Sequence, residues 1–194
     1  MNTPTRAVIA EDEAIIRLDL KEMLEEEGLE VVGEAADGET AVRLTRELAP
    51  DLVIMDVKMP VLDGLAAAER IGQEDLAAVV ILTAFSQRDL VARAGRAGAL
   101  AYVVKPFQKS DLLPAIEIAL ARHADISGLR EESSKLSERL ETRVLLDKAK
   151  GKLMDDRAMS EAEAFRWLQK KAMDERRPVR DVAHELLEAD HVEH

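Results

Sequence analysis

Short apolar, β-branched runs alternate with segments of helical period through the first 121 residues, and beyond that point only the helical period remains. The runs Ala7–Ala10, Val31–Glu34, Leu52–Asp56, Val79–Thr83 and Ala101–Val104 have the length and composition of strands. Between the first two, Ile16, Leu20, Met23 and Leu24 form one helical stripe that stops at Gly28, a residue suited to the left-handed position after a helix. Residues 38–48, 65–71, 88–97 and 111–122 supply four more helices. Strands and helices that alternate in this way predict an α/β fold, a doubly wound five-stranded parallel sheet in one compact domain.

From Leu112 the apolar positions Ala115, Ile116, Ala119, Ile126, Leu129, Leu136 and Leu140 keep a spacing of three and four, close to a heptad seam. Arg122, Ser133 and Arg143 interrupt it, which predicts either a modest two-stranded coiled coil or a helix packed on its own domain. Proline is absent between Pro114 and Pro178, so one long helix can join the two parts, with Ser127–Gly128 as a candidate hinge. The last third reads as three short helices. Ser160 and Glu163 match a capping box ahead of Ala164, Phe165, Leu168 and Ala172, and Pro178 suits the start of a helix carrying Val182, Ala183, Leu186 and Leu187. The expected organisation is residues 1–122 as the α/β domain, 123–143 as a helical linker and 144–194 as a small three-helix domain.

Composition narrows the function. Cysteine is absent, so a thiolate metal site and a disulfide framework are excluded, and the N-terminus lacks a signal-like segment. A cytoplasmic protein without membrane association is the expectation. The net charge of −12 speaks against nucleic acid, but it conceals an asymmetry. Residues 1–121 carry 12 Lys and Arg against 22 Asp and Glu, whereas residues 143–180 carry 11 against 7. A locally basic segment therefore sits inside an acidic chain.

The strand candidates end in chemistry. Glu11 and Asp12 follow the first, Asp56 closes the third, Thr83 the fourth, and Lys105 follows the fifth. The carboxyl edge of an open parallel sheet is where such folds bind ligands. A carboxylate accepts a phosphoryl group only if the gathering charge is neutralised, which calls for a divalent cation and a fixed positive group. Glu11, Asp12 and Asp56 suit a hard, oxygen-preferring Mg2+, Lys105 suits a phosphate oxygen, and Thr83 offers a hydroxyl donor. The Lys105–Pro106 bond is a candidate cis peptide.

These residues, with Asp63–Gly64 and Pro106–Phe107 in order and at matching spacing, resemble the receiver domain of two-component response regulators over about residues 5–122. The resemblance implies a flavodoxin-like fold in which Asp56 is the phosphoacceptor, served by a sensor histidine kinase, with Thr83 and Tyr102 as a switch pair. Glu11 stands where aspartate is commoner.

In the tail, Ala149–Met154, Met159–Glu161, Glu163–Phe165, Leu168, Ala172–Met173 and Asp181–Ala183 resemble an ANTAR domain. That resemblance implies a dimeric module that binds paired RNA stem-loops and acts in transcription antitermination, with Gln169 where the family usually has arginine. Lys150, Arg166 and Lys170 are the expected RNA contacts. Trp167 fits either base stacking or a small core, and Gly151 either close helix packing or close approach of an RNA backbone. Two other outputs stay open, DNA-binding regulation and protein interaction without nucleic acid. His184, His191 and His194 have no catalytic or metal-ligand spacing around them, so an enzymatic output is not expected.

Overall fold

In a computed structural model that describes residues 3–84 and 98–188, the chain divides into two compact units, Met1–Gly128 and Leu129–His194. The first is built from strands β1 (Arg6–Ala10), β2 (Glu30–Ala35), β3 (Leu52–Asp56), β4 (Ala78–Thr83) and β5 (Ala101–Val104). All neighbours pair in parallel in the order β2-β1-β3-β4-β5. The predicted helix over 88–97 lies outside the described residues.

Helices cover both faces, which is why β3 and β4 read as unbroken apolar runs rather than alternating ones. Val8, Val53, Met55, Val79 and Ile81 point toward α2 (Gly38–Leu48) and α3 (Gly64–Gln73), where Val42, Ala67, Ala68 and Ile71 meet them. Ile9, Leu52, Ile54, Val80 and Leu82 point the other way, onto Leu20 and Leu24 of α1 (Ala14–Glu26) and onto Leu112, Ile116 and Ala119 of α4 (Lys109–Arg157). Each fully buried Leu or Ile contributes roughly 1.5–3 kcal/mol, so this two-sided core fixes the strand ends within a stiff frame. Gly28, at φ 80°, ends α1 as expected.

Helix α4 is the single long helix that the absence of proline between Pro114 and Pro178 allowed, and it runs through the expected helical linker at 123–143. It is continuous over 49 residues, because nothing after Pro114 breaks it and Gly128 sits within it without interruption. Its first turns are buried in the sheet domain, residues 129–141 are exposed throughout, and Ala149 and Leu153 are buried again in a second core. The seam is thus spent on its own domain at Ala115, Ile116 and Ala119, while Leu129, Leu136 and Leu140 face solvent.

The second core joins the end of α4 to α5 (Glu161–Glu175) and α6 (Val179–Glu188) through Ala149, Leu153, Ala164, Leu168, Ala172, Val182 and Ala183. Ser160 caps α5 with both bonds of the capping box in place, to and from Glu163. No helix among the described residues is long and apolar enough to cross a membrane.

Candidate functional site

The carboxyl ends of β1, β3, β4 and β5 bring the predicted groups together. Glu11 and Asp56 are buried, Asp12 is exposed, and one carboxylate oxygen from each of the three lies within 4.8 Å of the others. Lys105 Nζ sits 2.6 Å from Glu11 Oε2 and 2.6 Å from Asp56 Oδ1. Thr83 is buried at the end of β4 and lines, with Asp12, Asp56, Lys58 and Lys105, a cavity of about 270 Å³. The Lys105–Pro106 bond is cis. Tyr102 lies on edge strand β5 and is exposed.

The electrostatics follow from this crowding. Burial pushes the Glu11 carboxyl above its usual value and the neighbouring Asp56 adds to that, against the opposing pull of Lys105. For Lys105 burial acts to lower the pKa, but hydrogen bonds to Asp56 and Glu11 outweigh it and the net shift is upward. The lysine is therefore a persistent cation between two acids. Oxygen ligands at this spacing fit a hard divalent ion such as Mg2+, and the exposed Asp12 leaves that corner open to solvent and to an incoming anion.

Main-chain groups complete the pocket. The Lys58 N–H donates to Asp56 Oδ2 at 2.6 Å, and Arg17 donates to the Glu11 carbonyl at 2.5 Å. A Cβ at position 64 would collide with the Asp56 carbonyl oxygen, so only glycine lets α3 begin against the end of β3. Its own N–H donates to Val57 O, and Asp63 caps the helix by accepting from Ala66 N–H. The Asp63–Gly64 turn was visible in sequence; the roles of Arg17 and Lys58 were not, since neither a side chain reaching a carbonyl nor an amide reaching a carboxylate leaves a motif.

The helical module sorts its cations into two classes. Lys150 is held between Asp147 at 2.8 Å and Glu161 at 2.7 Å, tying α4 to α5, and Lys152, Lys171, Arg177 and Arg180 also lie near carboxylates. Arg166 and Lys170 are exposed one turn apart on α5, with no carboxylate within 4 Å among the described residues. Arg166 Nε donates to Ala162 O. Trp167 is half-buried against the second core and lies beneath two cations, Arg157 and Lys171. Nothing stands within 4 Å of a Cβ built on Gly151, so helix packing does not require that glycine. His184, exposed on α6, pairs with Glu188, while His191 and His194 lie outside the described residues.

Comparison with known proteins places both halves. Residues 7–117 match the model of the response regulator receiver domain and residues 134–187 that of the ANTAR domain. The transcriptional regulatory protein PdtaR of Mycobacterium tuberculosis is 57% identical over 185 residues, covering 95% of this chain and 90% of its own. Among solved structures, the signal receiver domain of the response regulator NarL of Mycobacterium tuberculosis has a TM-score of 0.59 at 25% identity, covering 62% of this chain and 98% of that one. A chain of the CheX–CheY–BeF3–Mg2+ complex from Borrelia burgdorferi has a TM-score of 0.55 at 28% identity, covering 58% of this chain and 87% of that one. The chain belongs to the response regulators that join a receiver domain to an ANTAR domain.

Proposed function

We propose that this chain is a phosphorylation-controlled, RNA-binding transcription antiterminator. The observation that carries the reading is the buried pair Glu11 and Asp56 held by one lysine at the sheet edge, in a chain that ends in an ANTAR domain. Asp56 is the phosphoacceptor. A carboxylate oxygen attacks the phosphorus of a phosphohistidine on a sensor kinase; the P–N bond breaks and its electron pair leaves with the imidazole nitrogen. Lys105 moves from the carboxylates to a phosphate oxygen, and the Lys58 N–H already holds the second Asp56 oxygen in place. Glu11, Asp12 and Asp56 would hold a Mg2+ ion, which would neutralise charge at the phosphate. The likeness to a chain of the CheX–CheY–BeF3–Mg2+ complex supports that fit.

Thr83 donates its hydroxyl to the phosphate, and the exposed Tyr102 on the adjacent strand turns inward as the phosphorylation switch. The exposed Leu129, Leu136 and Leu140 of α4 then pair with a second copy, bringing two modules to two RNA stem-loops. Arg166 and Lys170 contact phosphates. Lys150 joins them only by exchanging Asp147 and Glu161 for RNA. The PdtaR likeness over nearly the whole chain supports a regulatory output rather than catalysis.

The direct test is phosphoryl uptake from a small-molecule phosphodonor with Mg2+, read by intact mass. Wild type gains one phosphoryl group and Asp56→Asn gains none with its fold retained. Uptake by the variant would move the acceptor elsewhere.

A further inference from the structure

Trp167 is the single tryptophan of the chain, and its surroundings are unusual for a core residue. It packs beside Leu168 and Ala164 as part of the second core, yet the guanidinium of Arg157 lies 4.8 Å from the ring centroid and the Lys171 ammonium 5.4 Å from it. Arg157 is the last residue of α4, and Ala158, at φ 54°, turns the chain so that α5 carries Trp167 back to it. Among the described residues Arg157 has no carboxylate within 4 Å, and neither do Arg166 and Lys170. These three stand outside the close ion pairs that engage Lys150, Lys171 and Arg177, and Glu163 acts on Arg166 only at longer range.

An unpaired nucleotide needs an aromatic face for its base and a nearby cation for its phosphate. We propose that Trp167 and Arg157 form a subsite for one splayed-out RNA base, with Arg166 and Lys170 holding the flanking phosphates. The base takes the place of the guanidinium on the indole, and the guanidinium moves to the adjacent phosphate, so the cation–π contact is the resting state of the subsite. A duplex keeps its bases stacked and offers none to the indole, which selects an RNA loop over double-stranded DNA. The subsite rests on the RNA-binding reading and places its base contact on α5 beside the end of α4, whereas Lys150 is engaged in holding the two helices together.

The test uses full-length phosphorylated protein and a library of tandem RNA stem-loops with randomised loops. Retained RNA is titrated while label anisotropy and tryptophan emission are followed together. The subsite predicts that emission falls by about half with the same midpoint as the anisotropy, since stacking on the only indole quenches it. Trp167→Leu weakens binding roughly tenfold, and Arg157→Gln, which alters an exposed side chain and leaves the core intact, weakens it about fivefold. RNA that binds with unchanged emission, or binds Arg157→Gln as tightly as wild type, overturns the subsite while the RNA reading stands. Failure of the library to yield any retained RNA overturns the RNA reading and the subsite with it.

Discussion

The acidic pocket and the helical module both gather charge, but they hold it in opposite ways. In the pocket, four parallel strands stop at one edge, and their terminal side chains have nowhere to go but toward each other; Lys105 reaches Glu11 and Asp56 at the same 2.6 Å. In the module, charge is spread over the outside of the end of α4 and the two short helices α5 and α6, around a core of small and medium side chains, and individual cations are either matched to acids or left open to solvent. Convergence gives a site whose chemistry is set by its geometry. Dispersal gives a surface whose chemistry depends on which neighbours happen to neutralise it.

The largest difference between the two regions is expected under core mutation. Leu168 is fully buried in the second core, and its replacement by Ala should cost about 3 kcal/mol. If the two units are independently cored, as the separate clusters imply, the module melts first while the receiver transition stays where it was, giving two steps by circular dichroism. A single shifted transition would mean that the units fold as one.

Glu11 sharpens the other side. Its raised pKa means that the folded chain takes up that proton more readily than the unfolded one. The group therefore favours folding below the ordinary carboxyl value of 4.5, and that contribution is lost as pH rises through the folded pKa. In Mg2+-free buffer at neutral pH Glu11→Gln should melt a few degrees above wild type, with the gap closing as pH falls toward 4.5. Added Mg2+ should raise the melting point of wild type more than that of the variant. A variant less stable at neutral pH would show that the lysine pair outweighs burial.

Gly151 gives the smallest effect. Because a Cβ there meets open space, Gly151→Ala should stabilise the module by up to about 1 kcal/mol through helix propensity. Unchanged RNA affinity in that variant would exclude close approach of an RNA backbone, and a loss of affinity would establish it.

The receiver was legible because its signals are local and ordered. Four of the five strand runs end at, or next to, a residue of the acidic pocket, and Asp63–Gly64 marks the turn that seats α3 against Asp56. What escaped was tertiary: the Lys58 amide on Asp56, and Arg17 on the carbonyl of Glu11. In the module the helices and the capping box could be read from period and spacing. The fate of each cation could not, since whether Lys150 is free depends on Glu161, eleven residues on across a turn, coming within 2.7 Å. The continuity of α4 through residues 123–143 could be read from the lack of proline between Pro114 and Pro178, whereas the choice between a two-stranded coiled coil and packing on its own domain could not.

The proposed switch requires coupling between the two regions. The most direct measurement is the affinity of full-length protein for a retained tandem stem-loop RNA, with and without phosphodonor and Mg2+, for wild type and Asp56→Asn. Phosphorylation should tighten wild-type binding at least tenfold and leave Asp56→Asn unchanged, since pairing along α4 lets two modules grip one RNA. Equal affinity for wild type in both conditions, with phosphoryl uptake verified in the same sample, would contradict it.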